Sequence, residues 1–138
     1  TSPSDPDGAK RRYTKGGSNW YSEVVKSEFD AIAVELRRYE LLRLWLLGSW
    51  AAGRRGKRFE LVNLVRESFE LDVPRFATEH LKLTPERRVH RVTWESLHHL
   101  IGGDPSRTVR DEVLLRYMST KTLGYDSVGR LIRAFALA

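Results

Sequence analysis

Residues 19–47 contain neither proline nor glycine, so nothing in the covalent chain interrupts a helix there. Within this stretch Val25, Phe29, Ile32, Leu36 and Tyr39 recur at helical spacing, while Glu23, Lys26, Asp30, Glu35 and Arg38 take other positions. The pattern predicts an amphipathic helix from Tyr21. The segment "YELLRLWLLGSWAA" is either its continuation or a second helix packed almost all round. Next come the basic "GRRGKR" and the short run "FELVNLV", residues 59–65, whose apolar and β-branched content predicts a buried strand.

Residues 1–18 mix Pro3, Pro6, Gly8, Gly16 and Gly17 with small polar and basic residues and show no apolar periodicity. They read as a flexible basic arm preceding a single α/β domain over 19–138. A helix is expected over 73–82, with Asp72 as N-cap and Val73, Phe76, Ala77, His80 and Leu81 along one stripe. A second strand fits 87–93. Thr93 then opens a short helix closed by Gly102 and Gly103, and Thr108 with Asp111 opens another over 109–120. Ser127 is placed to cap a last helix bearing Val128, Leu131, Ile132 and Phe135. Strand, helix and strand in alternation favour an α/β fold with a small, at least partly parallel sheet flanked by helices. Two strands make an incomplete sheet, which calls for helix cover, a second copy of the chain or a partner chain.

With 138 residues the chain fits one domain. It has no cysteine, which excludes disulfides and thiolate chemistry. No run reaches the ~18 to 20 apolar residues of a membrane span, and "TSPSDPDGAKRRYTKGG" lacks the apolar core of a secretory signal. The expectation is a cytoplasmic chain without membrane contact. The net charge is +6, and 18 of the 24 basic residues are arginine, whose planar fork suits bidentate phosphate contacts. DNA or RNA is the expected class of partner.

Residues 46–55 admit two readings. In one, "LLGSWAAG" resembles the strand and Gly-Ser turn of polymerase-β-like nucleotidyltransferases, with Gly48, Ser49, Ala51 and Gly53 matching that outline. That resemblance implies a nucleotide-binding domain in degenerate form, because Glu60 and Val62 stand where its chemistry needs two metal-binding aspartates. In the other, 41–55 is helical, Gly48 permits close packing and "GRRGKR" turns the chain into the strand.

This second layout, carried by "AKRRYTKGGSNWYSEVVKSEFDAIAVELRRY", "RFELVNLV" and "RVHRVTWESLHHLI", resembles the C-terminal part of a PD-(D/E)xK, or restriction-endonuclease-like, protein over residues 9–101. The resemblance implies a nucleic-acid-associated, nuclease-like domain, with Mg²⁺ as cofactor if the chain is a nuclease. It puts Lys10 at the catalytic lysine position, although Gly8 occupies the place of the acidic partner two residues earlier. The sequence thus describes a domain not catalytically complete.

Two basic runs are candidate nucleic-acid contacts: Arg11, Arg12 and Lys15, interleaved with Tyr13 and followed by Trp20 and Tyr21, and Arg54, Arg55, Lys57 and Arg58 beside a turn. The other tryptophans adjoin apolar residues and read as core. No metal site is assigned: His98 and His99 are adjacent on a helix and point apart, and His80 and His90 sit where apolar stripes meet polar edges. A non-enzymatic protein-interaction domain is the alternative.

Overall fold

The computed structural model describes residues 5–14 and 20–137. The element order is α1 (Pro6–Thr14), α2 (Trp20–Val24), a π-helical turn (Ala31–Glu35), α3 (Tyr39–Arg54), β1 (Phe59–Val65), α4 (Val73–His80), β2 (Arg87–Thr93), α5 (Trp94–Gly103), α6 (Val109–Thr120), β3 (Thr122–Tyr125) and β4 (Leu131–Arg133). The fold is α/β: β1 and β2 pair as a small parallel sheet joined through α4, and β3 with β4 forms a separate antiparallel hairpin. Contacts group the chain into two compact units, Thr1–Val62 with Asp72–His90, and Asn63–Leu71 with Arg91–Ala138.

In the first unit, part of the expected arm is a helix. The Asp5 carboxylate accepts from the Gly8 amide at 3.0 Å, capping α1, and Tyr13 is buried, stacked on Phe29 with ring centroids 6.4 Å apart. The single helix expected from Tyr21 is instead broken, for a tertiary reason. The Val24 carbonyl accepts from the Lys82 amide at 2.9 Å and from Trp45 Nε1 at 2.8 Å, while Val25 bridges Leu81. A carbonyl committed to those donors leaves the helical ladder, and the chain recoils only later, through the wide turn at 31–35. The same bridge ends α4 at His80 rather than at residue 82. Asp72 stands at the head of α4 but does not cap it with its side chain. Its carboxylate instead holds Arg38 Nη2 at 2.7 and 3.0 Å.

The core gathers Phe29, Ile32, Leu42, Trp45, Leu46, Phe76 and Leu81, with Phe59, Leu61 and Val89 packed against it. Residues 41–54 are helical, as the second reading of residues 46–55 has it, with the helix ending one residue before the expected 55. Gly48 therefore lies mid-helix, under the Phe59 ring, and no strand leads into a Gly-Ser turn. The helix closes in a Schellman arrangement: Lys57 N–H donates to Ala52 O at 3.0 Å and Gly56 N–H to Gly53 O at 3.3 Å, with Gly56 at φ +58°. Strand β1 is not buried on both faces. Phe59 and Leu61 turn inward, while Glu60, Val62 and Leu64 are exposed.

In the second unit, Thr93 caps α5 by accepting from Ser96 N at 3.0 Å, and Thr108 with Asp111 forms a reciprocal capping box on α6. Buried Glu95 accepts from the amides of Glu67 at 2.8 Å and Ala136 at 2.9 Å. Where a last helix from Ser127 is expected, the chain makes the β3–β4 hairpin. Asp126 takes the amides of Val128 and Arg130 at 3.0 and 2.8 Å, and Gly129 adopts φ +80°, closing a turn that no helix can begin from. No helix among the described residues is long and apolar enough to cross a membrane.

Candidate nucleic-acid interface

The Schellman turn sets Arg54, Arg55, Lys57 and Arg58 at the C-terminal end of α3 and the entry to β1, all four exposed. The Phe59 amide donates to Glu86 O at 2.7 Å, which brings the start of β2 alongside and with it Arg87. None of these five cations has a carboxylate within salt-bridge distance among the described residues. A helix C-terminus favours cations by its dipole, typically by ~0.3 to 1 kcal/mol. That accounts for Arg54 and Arg55 but not for Arg58 and Arg87.

Two hollows of about 290 and 300 Å³ lie in this region, and Ser49, Gly53 and Arg87 line both. Trp50, Arg54, Glu23 and Val24 complete the first; Lys57, Thr84 and Glu86 belong to the second. The Arg54 guanidinium rests over the Trp50 ring, 5.1 Å from its centroid, yet Trp50 remains 50% exposed. Trp50 is thus not the core residue expected, whereas Trp45 is fully buried. Ser49 is 5% exposed, and its hydroxyl has no hydrogen-bond partner among the described residues.

The N-terminal candidates are placed differently. Lys10 is on α1, not on a strand, and its ammonium is paired with Asp30. The hydrogen bond to Asp30, reinforced by the charges of Asp30, Glu28 and Asp7 against some desolvation, raises the Lys10 pKa. Arg11 and Arg12 are exposed on the same helix, and Lys15 lies outside the described residues. The Tyr21 ring is buried and donates its hydroxyl to Ser27 O at 2.9 Å, so it offers no stacking face. Burial, with the Glu28 and Asp30 charges, pushes its pKa up.

Among the described residues no three His, Asp or Glu side chains gather into a metal-sized cluster. The carboxylates around Lys10 are those of Asp30, which binds its ammonium directly, and of Glu28 and Asp7, whose charges reach it. His80 Nδ1 lies 2.7 Å from Ser27 Oγ and His98 Nε2 3.2 Å from Ser119 Oγ, while His99 is exposed; His90 Nε2 stands 3.1 Å from Glu60 Oε2 without forming a hydrogen bond to it among the described residues.

The basic run at 54–58 was visible in sequence. Arg87, Ser49 and Trp50 were not joined to it, because strand pairing and the helix face bring them there; the one local signal is a hydroxyl set in an otherwise apolar helical stretch. Compared with protein-family models, curated proteins and solved structures, the chain matches none.

Proposed function

We propose that this chain is a nucleic-acid-associated domain that holds a phosphate backbone with the turn after α3 and the start of β2. The observation carrying this reading is the group Arg54, Arg55, Lys57, Arg58 and Arg87, set side by side without carboxylate partners among the described residues. Unpaired cations on an ordered turn keep their charge available for phosphates, and counterion release then supplies the affinity. The β1–α4–β2 unit supports the proposed kinship with the C-terminal part of restriction-endonuclease-like proteins. The function proposed is binding; hydrolysis is not assigned, since Lys10 is engaged by Asp30. Titration of labelled duplex and single-stranded oligonucleotides across a salt series tests it. Binding that weakens steeply with salt supports the reading, and indifference to both at low salt rejects it.

A second reading, docking of another protein, is favoured by the second unit. Val109, Val113 and Tyr117 on α6 and Leu123, Tyr125, Val128 and Leu131 on the hairpin are all more than half exposed. Sedimentation of the chain across concentration tests self-association through these residues: a monomer at every concentration rejects that form of it.

A further inference from the structure

A serine inside a helix ordinarily gives its hydroxyl to a carbonyl one turn back or to water. Ser49 gives it to no carbonyl or side chain among the described residues, although it is more than nine-tenths buried and lines both hollows at the end of α3. A ligand with an acceptor oxygen there meets a buried donor that no other group of the protein engages among the described residues.

Gly53 lies one turn on, on the same helix face, and a methyl there would meet nothing within 4 Å. Packing does not require this glycine, yet glycine in a helix costs up to ~1 kcal/mol relative to alanine. Its effect is to leave the wall above Ser49 open. Three cations, Arg54, Lys57 and Arg87, and two carboxylates, Glu23 and Glu86, line the hollows. The small positive excess suits one phosphodiester better than a polyphosphate.

We propose that this groove seats one phosphate of a single-stranded nucleic acid, with Ser49 Oγ donating to a phosphate oxygen and Trp50 stacking on the adjoining base. The proposal rests on the nucleic-acid reading above and specifies its substrate class. Arg87 is tied to no carboxylate among the described residues and lines both hollows, so its side chain can follow the phosphate inward. Half-exposed Trp50, oriented by Arg54 on its ring, is a platform for a base with a free face. In a duplex the base faces are already stacked on one another, so the platform selects the single strand.

The test uses three labelled probes of equal length: oligothymidylate, an abasic strand and a duplex. Ser49→Ala is expected to weaken both single strands about tenfold, while its thermal midpoint stays level or rises because no hydrogen bond among the described residues is lost. Trp50→Ala is expected to weaken oligothymidylate about tenfold and leave the abasic strand unchanged. Gly53→Ala is expected to raise the thermal midpoint while lowering single-strand affinity. The groove is overturned, with the basic-turn reading intact, if Ser49→Ala and Trp50→Ala bind like the parent while neutralising Arg54, Lys57 and Arg87 weakens all three probes. If the parent binds none of the probes, both readings fall.

Discussion

Gly48 lies under the ring of Phe59: a methyl carbon on Gly48 would stand 2.1 Å from Phe59 Cζ and 2.2 Å from Cε2. The ring is also tilted against Trp45, centroids 5.6 Å apart, so it is wedged between two points of α3. This contact seats β1 on the helix and fixes where the basic turn emerges.

Gly48→Ala sets a helix-propensity gain of up to ~1 kcal/mol against overpacking of ~1 to 3 kcal/mol. With the ring pinned on two sides, overpacking wins and the expected net effect is a loss of about 1 to 2 kcal/mol. In a Phe59→Ala background the obstacle is gone and the same substitution is expected to stabilise. Urea unfolding of the two single variants and the double variant measures both signs; a loss of equal size in both backgrounds disproves the contact.

Glu95 holds two amides of the second unit, those of Glu67 and Ala136. Hydrogen bonds to a charged acceptor contribute ~1.5 to 3 kcal/mol, so Glu95→Ala is expected to destabilise that unit by about 2 kcal/mol. Amide exchange reads it locally, with protection lost at residues 67 and 136. Unchanged protection there contradicts the assignment.

The Asp72 carboxyl is pushed up by partial burial, but hydrogen bonds from Arg38 and from its own backbone amide, with the Arg38 and Arg75 charges, outweigh this and hold its pKa below the ordinary value. A carboxyl depressed in the folded state contributes stability that is fully present above its unfolded value, about 3.9, and is lost as pH falls through the folded value. Asp72→Asn should therefore be less stable than the parent by a constant amount near neutrality, with the gap closing below about pH 4. Denaturant midpoints of both proteins across pH check this. A gap that persists undiminished in strong acid excludes the Arg38 pairing as its source.

Replacing Thr108 by alanine removes the capping box from α6, with an expected cost of about 1 kcal/mol. Exchange of the first-turn amides, Asp111 above all, is where the loss should appear first; an unaltered Asp111 amide argues against the cap.

Elements with purely local signals are legible in the chain. The strands at 59–65 and 87–93, the Thr93 cap and the Thr108–Asp111 box all follow from residues within a few positions of each other. The failures are tertiary. Val24 and Val25 fit a continuing helix until Trp45 and Lys82, far along the chain, claim the Val24 carbonyl. Asp72 is a good cap by type, but Arg38 offers it a charged partner. Ser127 precedes a helical apolar pattern, yet Asp126 and Gly129 turn the chain first. At the interface the same division holds: Arg54 to Arg58 are contiguous and readable, whereas Arg87 reaches them by strand pairing and Ser49 by the face of α3.

The most direct measurement compares oligonucleotide binding by the parent with that of an Arg54→Gln, Lys57→Gln, Arg87→Gln variant across a salt series. Each phosphate contact contributes about −0.7 to the slope of log affinity against log salt on a single strand, so losing the seated phosphate should flatten that slope by about 0.7 and lower affinity most at low salt. Parallel lines of equal affinity for the two proteins would contradict a nucleic-acid contact at this turn.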